Sequence, residues 1–370
     1  FSLISIAIIY YLALKEIGRI AAFFSAITFS IMPFFVYYTR VILPEPTALS
    51  LGMISVFFLY HFQQEKSKIK KILFYLISLL FFSFSLLVKP TMIFYSIPLI
   101  FLFFKKDSFY FLEKFYFYLY FFVAILPFVL WRIHISNYPE GIPAYNWLIT
   151  SINTDSGQKD IFFRPSFFRW IFFERVNNLI CGGYLVFFLI LGIIAKKQSF
   201  LILSFFASSL LYVFTFQGGN VQHEYYQILI FPTISFLIGK GIAFLLENKN
   251  KITSPIITYF LIFILFGFSF YFSFEKIKNN YQYSQDLVFI ANIVKRLTMP
   301  EDKIITDRQG DTTLLYLMDR RGAPALYKDI EDLKKLGYKY LVSQNRDLIE
   351  KLRKSYQIIF ETNNFALIKL

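Results

Sequence analysis

Cysteine, charged residues and the short motifs of soluble enzymes are scarce in this chain. Its 370 residues include a single cysteine, Cys181, which excludes an internal disulfide framework and a cysteine-based metal cluster. The GxxxxGK[ST] phosphate loop, the HExxH zinc motif, the GxSxG nucleophile motif and the GxGxxG dinucleotide motif do not occur. The sequence therefore gives no support for ATP-driven chemistry or for the common hydrolytic sites.

Only 17% of the chain is charged, whereas 56% is hydrophobic and 21% is aromatic. The mean hydropathy is positive. A soluble domain of this size could not keep so much apolar surface away from water, so the composition indicates a membrane protein. The net charge of +14 would also suit a nucleic-acid partner. Most short-loop Lys and Arg residues instead flank apolar runs, so no nucleic-acid partner is predicted.

Ten apolar runs are long enough, or nearly so, to cross about 30 Å of hydrocarbon as helices. They span roughly 1–14, 20–38, 47–63, 73–88, 91–104, 115–131, 179–195, 199–216, 226–246 and 254–272. The chain begins with Phe inside the first run, without Met or a signal pattern, so we expect the natural N-terminus to lie further upstream. The fourth and fifth runs flank Lys89. They form either a hairpin that turns at "LVKPT" or, at a higher cost, one long helix kinked at Pro90.

The charges of the short loops predict the orientation. Two cationic residues, Arg40 and Lys89, lie in the short loops of one side. Thirteen lie in the loops of the other side, namely Lys15, Arg19, Lys66, Lys68, Lys70, Lys71, Lys105, Lys106, Lys114, Lys196, Lys197, Lys249 and Lys251. Basic loops stay in the cytoplasm, so this bias places Arg40 and Lys89 outside. The unbroken alternation favours the hairpin around Lys89.

Two segments do not read as membrane spans. Residues 132–178 form a long outer loop, in which "FFRPSFFRWIFFERV" is typical of an amphipathic segment in the interface, with Arg164, Arg169 and Arg175 available to lipid phosphates. From about 280 the chain turns polar, and alternating helical and strand patterns predict a small α/β domain. The predicted organisation is a polytopic helical domain at 1–279 and an extracytoplasmic α/β domain at 280–370.

Polar residues cluster on the predicted outer face in four places: Arg40 with Glu45, Lys89 with Pro90, Arg132 with His134, and His223, Glu224, Tyr225 and Tyr226 within "QGGNVQHEYYQILIFP". A carboxylate can act as a base toward an acceptor hydroxyl or amine, and Arg and Lys can hold a phosphate leaving group. These are the groups needed to move a substituent off a lipid phosphate. No cluster with metal-ligand spacing is present, so neither a metal nor another cofactor is predicted.

Each cluster also has a simpler explanation. Arg40 and Glu45 could form an interfacial ion pair, Lys89 could anchor its helix at the interface, and His223 could be a solvated loop histidine.

Three stretches resemble successive signatures of the polytopic family-39 glycosyltransferases of the GT-C fold. They are "SIMPFFVYYTRVILPEPTALSLGMISVFFLY", "LLFFSFSLLVKPTMIFYSIPLIFLF" and "HEYYQILIFPTISFLIGKGI". That family includes the protein O-mannosyltransferases and the aminoarabinose transferase of lipid A. The resemblance covers most of residues 1–270, in the expected order and on the expected face. The tail, from "GYKYLVSQNRDLIEKL" onward, is similar to the C-terminal domain of many prokaryotic members.

The resemblance implies an integral, multi-pass plasma (inner) membrane enzyme that transfers a sugar, with inversion, from a polyprenyl-phosphate carrier. It implies that Arg40, Lys89 and His223 contact the donor phosphate and that Glu224, Tyr226 and Arg132 lie in the substrate site. In the family an acidic residue in the first outer loop is the main catalytic base, and we expect that loop upstream of residue 1. Glu45 matches the second acidic position, after the third helix, where relatives often carry Asp, and would position the acceptor or assist as base. The acceptor is undefined, and membrane lipid is the other expected partner.

Two other function classes remain open from sequence. A non-catalytic transporter of lipid-linked oligosaccharides should show polar or broken helices at the bilayer midplane. A polysaccharide polymerase should show a large outer loop between late helices rather than an α/β tail. A purely structural member of the family is a third alternative.

Overall fold

The computed structural model describes residues 1–138, 163–195, 199–248, 250, 254–282 and 284–370. The chain divides into two compact units, Phe1–Asn279 and Asn280–Leu370. The first unit is built from helices and the second contains a five-stranded sheet.

Helices make up the first unit, and apolar side chains fill their shared core. In chain order the α-helices are α1 (Ser2–Glu16), α2 (Arg19–Ile31), α3 (Pro33–Tyr38), α4 (Pro44–Gln64), α5 (Lys68–Val88), α6 (Ser96–Asp107), α7 (Phe115–Ile135), α8 (Pro165–Phe168), α9 (Val186–Ile194), α10 (Phe200–Thr215), α11 (Gln217–Gln222), α12 (Phe231–Glu247) and α13 (Pro255–Ile277). The 3₁₀ helices are Pro90–Tyr95, Ser108–Glu113, Glu224–Ile230 and Lys278–Tyr281, and a π-helix spans Arg169–Ile180.

Each of the ten predicted apolar runs coincides with one or more of these helical segments. By length and composition, four helices in the described part of the chain could cross a membrane: α5, α7, the segment Glu224–Glu247, and the helix that begins at Pro255. The other apolar runs lie in shorter helices, except for 47–63, which lies in the 21-residue α4, a helix that is not among these four. A total of ten membrane crossings therefore stays a prediction.

Hydrogen bonds show that α4 and α5 are antiparallel. Ser55 Oγ lies 3.1 Å from Ser78 Oγ, and Ser85 Oγ donates to the Ala48 carbonyl over 2.7 Å. Later positions of α5 thus meet earlier positions of α4. The chain therefore runs in opposite directions along the two helices, as the alternation of loop charges predicts.

α5 ends just before Lys89, and the segment that follows runs back along α4. Lys89 has an extended backbone, with φ −147° and ψ 109°, because the residue before a proline is disfavoured in the helical region. Beyond it, Met92 lies against Gly52, and the Leu102 carbonyl accepts a hydrogen bond from Gln63. α6 therefore runs parallel to α4 and antiparallel to α5. The single long helix considered from the sequence is wrong, and the hairpin is the observed arrangement.

Close backbone contacts hold α12 in the centre of the unit. A Cβ atom added to Gly192 in α9 would lie 1.9 Å from the Leu237 carbonyl oxygen, and one added to Gly241 would lie 1.9 Å from that of Phe188. Only glycine permits this approach, which is a common way of packing helices in membranes. α12 is buried along nearly its whole length.

The bundle has two ends that differ in their charged residues. One end, called here the Glu45 end, carries Tyr38, Glu45 and Lys89, where α3 and α5 finish and α4 begins. The other, the Lys105 end, carries Glu16 and Lys105, which form an ion pair of 2.8 Å. Which end faces the cytoplasm stays a prediction.

The second unit is a small α/β domain, as its sequence pattern predicts. Its helices are α14 (Gln285–Leu297), α15 (Thr313–Met318), α16 (Ile330–Lys335) and α17 (Arg346–Leu352). Its strands are β1 (Lys303–Thr306), β2 (Gly322–Ala323), β3 (Tyr338–Ser343), β4 (Gln357–Glu361) and β5 (Ala366–Lys369), in the order β2-β1-β3-β5-β4. β1 pairs in parallel with β2 and β3, and β5 pairs antiparallel with β3 and β4. α15 and the two-residue β2 are too short for a periodic sequence pattern to predict.

Candidate functional site at the Glu45 end of the bundle

Glu45 lies in the first turn of α4 and is fully buried. Pro44 occupies the first helical position, where its missing N–H costs nothing and its fixed φ suits the helix. With Pro44 and Pro46 on either side of it between two apolar runs, Glu45 is predicted from the sequence to be exposed to substrate at the outer mouth of a cavity, and that prediction is wrong. The packing of α4 against α5 encloses the carboxylate, and a buried carboxylate requires a charged partner.

Lys89 is that partner. Its ammonium group forms an ion pair with Glu45 Oε1, and the lysine side chain is 15% exposed. The same ammonium lies 4.2 Å from the centre of the Tyr226 ring, a favourable cation–π position. Because α5 is antiparallel to α4, its last residues meet the first turn of α4, and this register brings Lys89 to Glu45. The alternative from the sequence is an ion pair of Glu45 with Arg40, whereas Glu45 Oε1 pairs with Lys89.

The second oxygen of Glu45 is the unusual feature of the cluster. Glu45 Oε2 is buried and accepts no hydrogen bond from any residue that the structure describes. An unsatisfied buried carboxylate oxygen is costly and is often found where a ligand completes the bonding. The atom can accept a proton or a hydrogen bond from a hydroxyl or amine.

His223 and Tyr226 cover the Glu45–Lys89 pair on one side. His223 is exposed, and its ring lies 5.3 Å from that of Tyr225 and 5.4 Å from that of Tyr226. Although His223 is exposed, the neighbouring protein removes part of the hydration of its ring; this loss, followed by the positive charge of Lys89, lowers the pKa of His223, with Glu45 acting in the opposite direction. The imidazole is therefore neutral at pH 7 and able to donate or accept a hydrogen bond.

Glu224 bonds to residues outside the Glu45–Lys89 pair. Its Oε1 accepts a hydrogen bond from the Tyr38 hydroxyl, and its Oε2 pairs with Arg175 Nη1 at 2.8 Å. Arg175 also donates to the Val221 carbonyl over 3.3 Å. Both carboxylate oxygens are thus engaged within the protein, so the bonds tie the His223–Tyr226 turn to α3 and to the π-helix. Glu224 positions this turn, and its predicted contact with substrate stays untested.

Arg175 is a site residue that the sequence does not predict, because the run around it is typical of an interfacial segment. Arg175 instead turns inward, with a side chain that is 15% exposed. It lies in the π-helix, a rare conformation that is often associated with functional sites. The rest of the predicted outer loop, residues 139–162, lies outside the described residues. The spacing of Arg164, Arg169 and Arg175 in an aromatic run carries no signal for such an inward turn.

Two further predicted site residues lie at the same end without a described contact to Lys89. Arg40 is exposed on the loop between α3 and α4. Arg132 lies in the last turn of α7. α7 runs parallel to α5, because Tyr75 Oη bonds to the Tyr116 carbonyl and Ser78 Oγ to Tyr120 Oη. The last turn of α7 therefore points to the same end as Lys89.

The cluster contains oxygen and nitrogen groups but no metal-binding set. Within the described ranges, no three His, Cys, Asp or Glu side chains are arranged to hold a metal ion. The Glu45 end instead presents one buried carboxylate, one ammonium group and an aromatic-histidine surface, which together suit an anion and a hydroxyl group.

Comparisons with known proteins agree with this architecture. The family model for dolichyl-phosphate-mannose-protein mannosyltransferase matches residues 1–133. No curated protein matches the sequence significantly. The fold is similar to that of ArnT from Cupriavidus metallidurans in the apo state, with a TM-score of 0.65 and 13% identity over 100% of this chain and 82% of ArnT. ArnT bound to undecaprenyl phosphate gives the same TM-score and coverage at 12% identity.

A third similar structure is an Archaeoglobus fulgidus oligosaccharyltransferase in complex with Zn and sulfate. Its TM-score is 0.54 at 14% identity, over 92% of this chain and 54% of that chain. At these identities the likeness concerns the fold. The family match spans α1 to most of α7, and the structural likeness to ArnT extends over the whole chain, so this protein has the GT-C fold that the sequence resemblance implies.

Proposed function

We propose that this protein is a membrane glycosyltransferase that moves a sugar from a polyprenyl-phosphate-linked donor to an acceptor at the Glu45 end of the bundle. The similarity to a mannosyltransferase family and to ArnT bound to undecaprenyl phosphate supports the donor class. The acceptor is a hydroxyl or amine of a protein, lipid or glycan. The Glu45 end is the extracytoplasmic face, and the C-terminal domain lies on that side.

The Lys89–Glu45 pair, with its unsatisfied carboxylate oxygen, is the observation that carries the proposal. The donor carries one negative phosphate, for which Lys89 is the cation beside the aromatic surface. When the donor phosphate also contacts the Lys89 ammonium group, the ion pair between Lys89 and Glu45 weakens. Glu45 then becomes a better hydrogen-bond acceptor. Oε2 then orients the acceptor hydroxyl.

The proposed transfer balances without a cofactor. The acceptor oxygen attacks the anomeric carbon, and the bond between this carbon and the phosphate oxygen breaks, with its electron pair leaving on polyprenyl phosphate. Lys89 stabilises the negative charge on the leaving phosphate. The acceptor proton passes to a carboxylate, and Glu45 orients the acceptor or assists as that base.

A pair of matched lysine variants tests the role of this end. We expect Lys89→Gln to lower sugar transfer about ten- to a hundredfold, because a charge-assisted contact contributes about 1.5–3 kcal/mol. The assay follows radiolabel from hexosyl and pentosyl polyprenyl-phosphate donors into non-lipid product in membranes that contain the protein. Lys105→Gln is the control, because Lys105 also pairs with a glutamate, Glu16, but at the opposite end.

The variant can also act through folding, since removal of Lys89 leaves Glu45 buried without its cation. Thermal unfolding is therefore measured in parallel, and Lys89→Arg tests whether a cation alone restores activity. Wild-type protein that moves labelled lipid across vesicles without forming a glycosylated product would be a transporter, and the proposal would fail. Equal transfer by the Lys89→Gln and Lys105→Gln variants would remove Lys89 from the site.

A further inference from the structure

A pocket lies near the Lys105 end of the bundle, away from the site described above. Its volume is about 440 Å³, and it is formed where α4 and α6 end and α5 and α7 begin. The lining residues are Phe62, Lys68, Lys71, Ile72, Tyr75, Leu76, Lys106 and Tyr116. α4 carries Glu45 in its first turn and Phe62 in its last, so the pocket and the site are about 25 Å apart along the helix.

Three lysines give this pocket a positive charge that the protein only partly neutralises. Lys106 lies 3.3 Å from Asp107 and donates a hydrogen bond of 2.9 Å to Tyr116 Oη. Lys68 and Lys71 form no ion pair with any residue in the described part of the chain. The pocket therefore has two ammonium groups available for an anion.

The remaining lining is apolar and continues onto an uncovered stripe of α5. Ile72 is 60% exposed and Leu76 is 52% exposed. The stripe extends in both directions through residues that share this helix face, namely Ile69, Leu73 and Leu80. In a membrane protein such a stripe faces hydrocarbon. The pocket thus joins a cationic rim to a lipid-facing helix surface.

We propose that this pocket binds an anionic phospholipid of the surrounding membrane. The headgroup phosphate contacts Lys68 and Lys71, and one acyl chain follows Ile72 and Leu76 along α5. The combination of unpaired ammonium groups with an apolar floor fits an amphiphile that carries phosphate, and basic residues at helix ends are a recognised basis for binding such lipids. A soluble phosphate would leave the apolar floor uncovered. A zwitterionic lipid would leave the net positive charge of the lysines unneutralised.

The lipid that remains bound to the detergent-purified full chain tests this site directly. Native mass spectrometry compares added phosphatidylglycerol with phosphatidylcholine for wild type and for Lys68→Gln/Lys71→Gln. Each lysine is expected to raise the affinity for an anionic headgroup about fivefold. We therefore expect the double variant to bind phosphatidylglycerol roughly thirtyfold more weakly. Phosphatidylcholine binding should change little.

The matched control removes two lysines elsewhere. In Lys334→Gln/Lys335→Gln the net charge falls by the same amount, but both residues lie in the C-terminal unit. We expect wild-type phosphatidylglycerol binding in this control. Leu76→Gln tests the chain contact, and it should weaken binding of phosphatidylglycerol while leaving the lysines in place.

Three results would overturn the proposal. The first is equal retention of phosphatidylglycerol and phosphatidylcholine by wild type. The second is an equal loss of phosphatidylglycerol in both double variants, which would show a general charge effect. The third is displacement of phosphatidylglycerol by millimolar inorganic phosphate, which would identify a free-phosphate site. The readout is independent of sugar transfer, so it stands apart from the proposed enzymatic activity.

Discussion

Two lysine–glutamate–tyrosine clusters lie at opposite ends of this bundle and differ in one atom's bonding. At the Glu45 end, Lys89 pairs with Glu45 and lies 4.2 Å from the Tyr226 ring centre. At the Lys105 end, Lys105 pairs with Glu16 at 2.8 Å and lies 5.3 Å from the Tyr60 ring centre. Composition and pairing are alike in the two clusters.

The second carboxylate oxygen separates them. Glu16 Oε2 accepts a hydrogen bond of 2.7 Å from Ser199, whereas Glu45 Oε2 is buried and accepts none from the described residues. The Glu16 cluster is satisfied within the protein and needs no ligand. The Glu45 cluster retains bonding capacity, which is the property expected of a binding site and not of a structural brace.

Neutralising the two glutamates tests this difference and should give the largest effect. Glutamine keeps the size of the side chain but removes the negative charge. We expect Glu45→Gln to reduce sugar transfer about tenfold to a thousandfold, because the variant can neither attract a proton nor orient the acceptor as a carboxylate does. We expect Glu16→Gln to stay within about twofold of wild type. Both are measured as transfer from the polyprenyl-phosphate donor, normalised to protein in the membrane.

Similar activity in the two glutamine variants would contradict the comparison. In that case the buried Lys89–Glu45 ion pair would be structural and would have no part in sugar transfer. Arg40→Gln is a further variant at this end. A small effect of this substitution on sugar transfer is compatible with either result for Glu45.

Arg175 offers a smaller, indirect effect at the same end. Arg175→Gln removes the ion pair that holds Glu224 and with it one of the bonds that position the His223–Tyr226 turn. We expect transfer to fall about three- to tenfold, mainly through a higher KM for the donor. Arg175→Lys should restore part of the activity, because a lysine keeps the charge but loses the second hydrogen bond, to Val221.

A change in kcat alone, with an unaltered donor KM, would contradict a positioning role for Arg175. The matched comparison is Arg346→Gln, which also removes an arginine–glutamate ion pair, with Glu361, but in the C-terminal unit. That variant should transfer sugar at the wild-type rate.

The pH dependence of donor binding should show a still smaller effect at His223. Its lowered pKa means that the ring is neutral at pH 7 and gains its proton only below the usual range of histidine. A sugar phosphodiester keeps its charge throughout this range. As the pH falls from 7 to 5, the added positive charge beside Lys89 should lower the donor KM about two- to fivefold.

The control for this prediction is His223→Gln, whose donor KM should not follow the same change. A wild-type KM that rises as the pH falls would show that protonation at this end opposes donor binding. The comparison with the Lys105 end is then sharpened by Lys105→Gln, which should keep the wild-type pH profile.

The side of the membrane on which each end lies can be measured by cysteine labelling, without an activity assay. Ile42, at the Glu45 end, is 99% exposed, and Lys66, beyond the last turn of α4, is exposed at the opposite end. In a Cys181→Ser background, we expect Ile42→Cys to react with a membrane-impermeant thiol reagent in intact cells. Lys66→Cys should react only after lysis. The loop bias of thirteen cationic residues to two is the basis of this expectation.

The C-terminal domain is tested by Asn363→Cys, an exposed position in the turn between β4 and β5. It should be labelled together with Ile42→Cys. Ser343 is unsuitable for this purpose, because its side chain is buried and donates a hydrogen bond to Asp307. Labelling of Asn363→Cys only after lysis would place the domain in the cytoplasm and contradict the proposed topology.

Much of the helical framework could be predicted from the sequence. The apolar runs, the break at Lys89 and the α/β character of the tail follow from hydropathy, from proline chemistry and from local periodicity. The boundaries were harder, since the run at 20–38 divides into α2 and α3 before Pro33. A proline also interrupts the helix at the start of the run at 91–104, where Pro90 begins a 3₁₀ helix.

The candidate site was only partly predictable. Residue types and hydropathy indicated that Glu45, Lys89, His223 and Tyr226 lie at one end, and the structure brings these four together. The burial of Glu45 and the inward turn of Arg175 depend on the register of α4 against α5 and on the path of the π-helix. No local pattern encodes either.

By itself, the sequence determined that this chain is a membrane protein with an α/β tail and that its charges are unequally divided between two faces. Those properties depend on composition and on neighbours along the chain. Only the tertiary structure decided that Lys89 pairs with Glu45, that Arg175 pairs with Glu224, and that Glu16 is satisfied by Ser199 while Glu45 Oε2 is not. The partners in these contacts are between 44 and 183 residues apart, and helix packing alone sets which side chains meet over such separations.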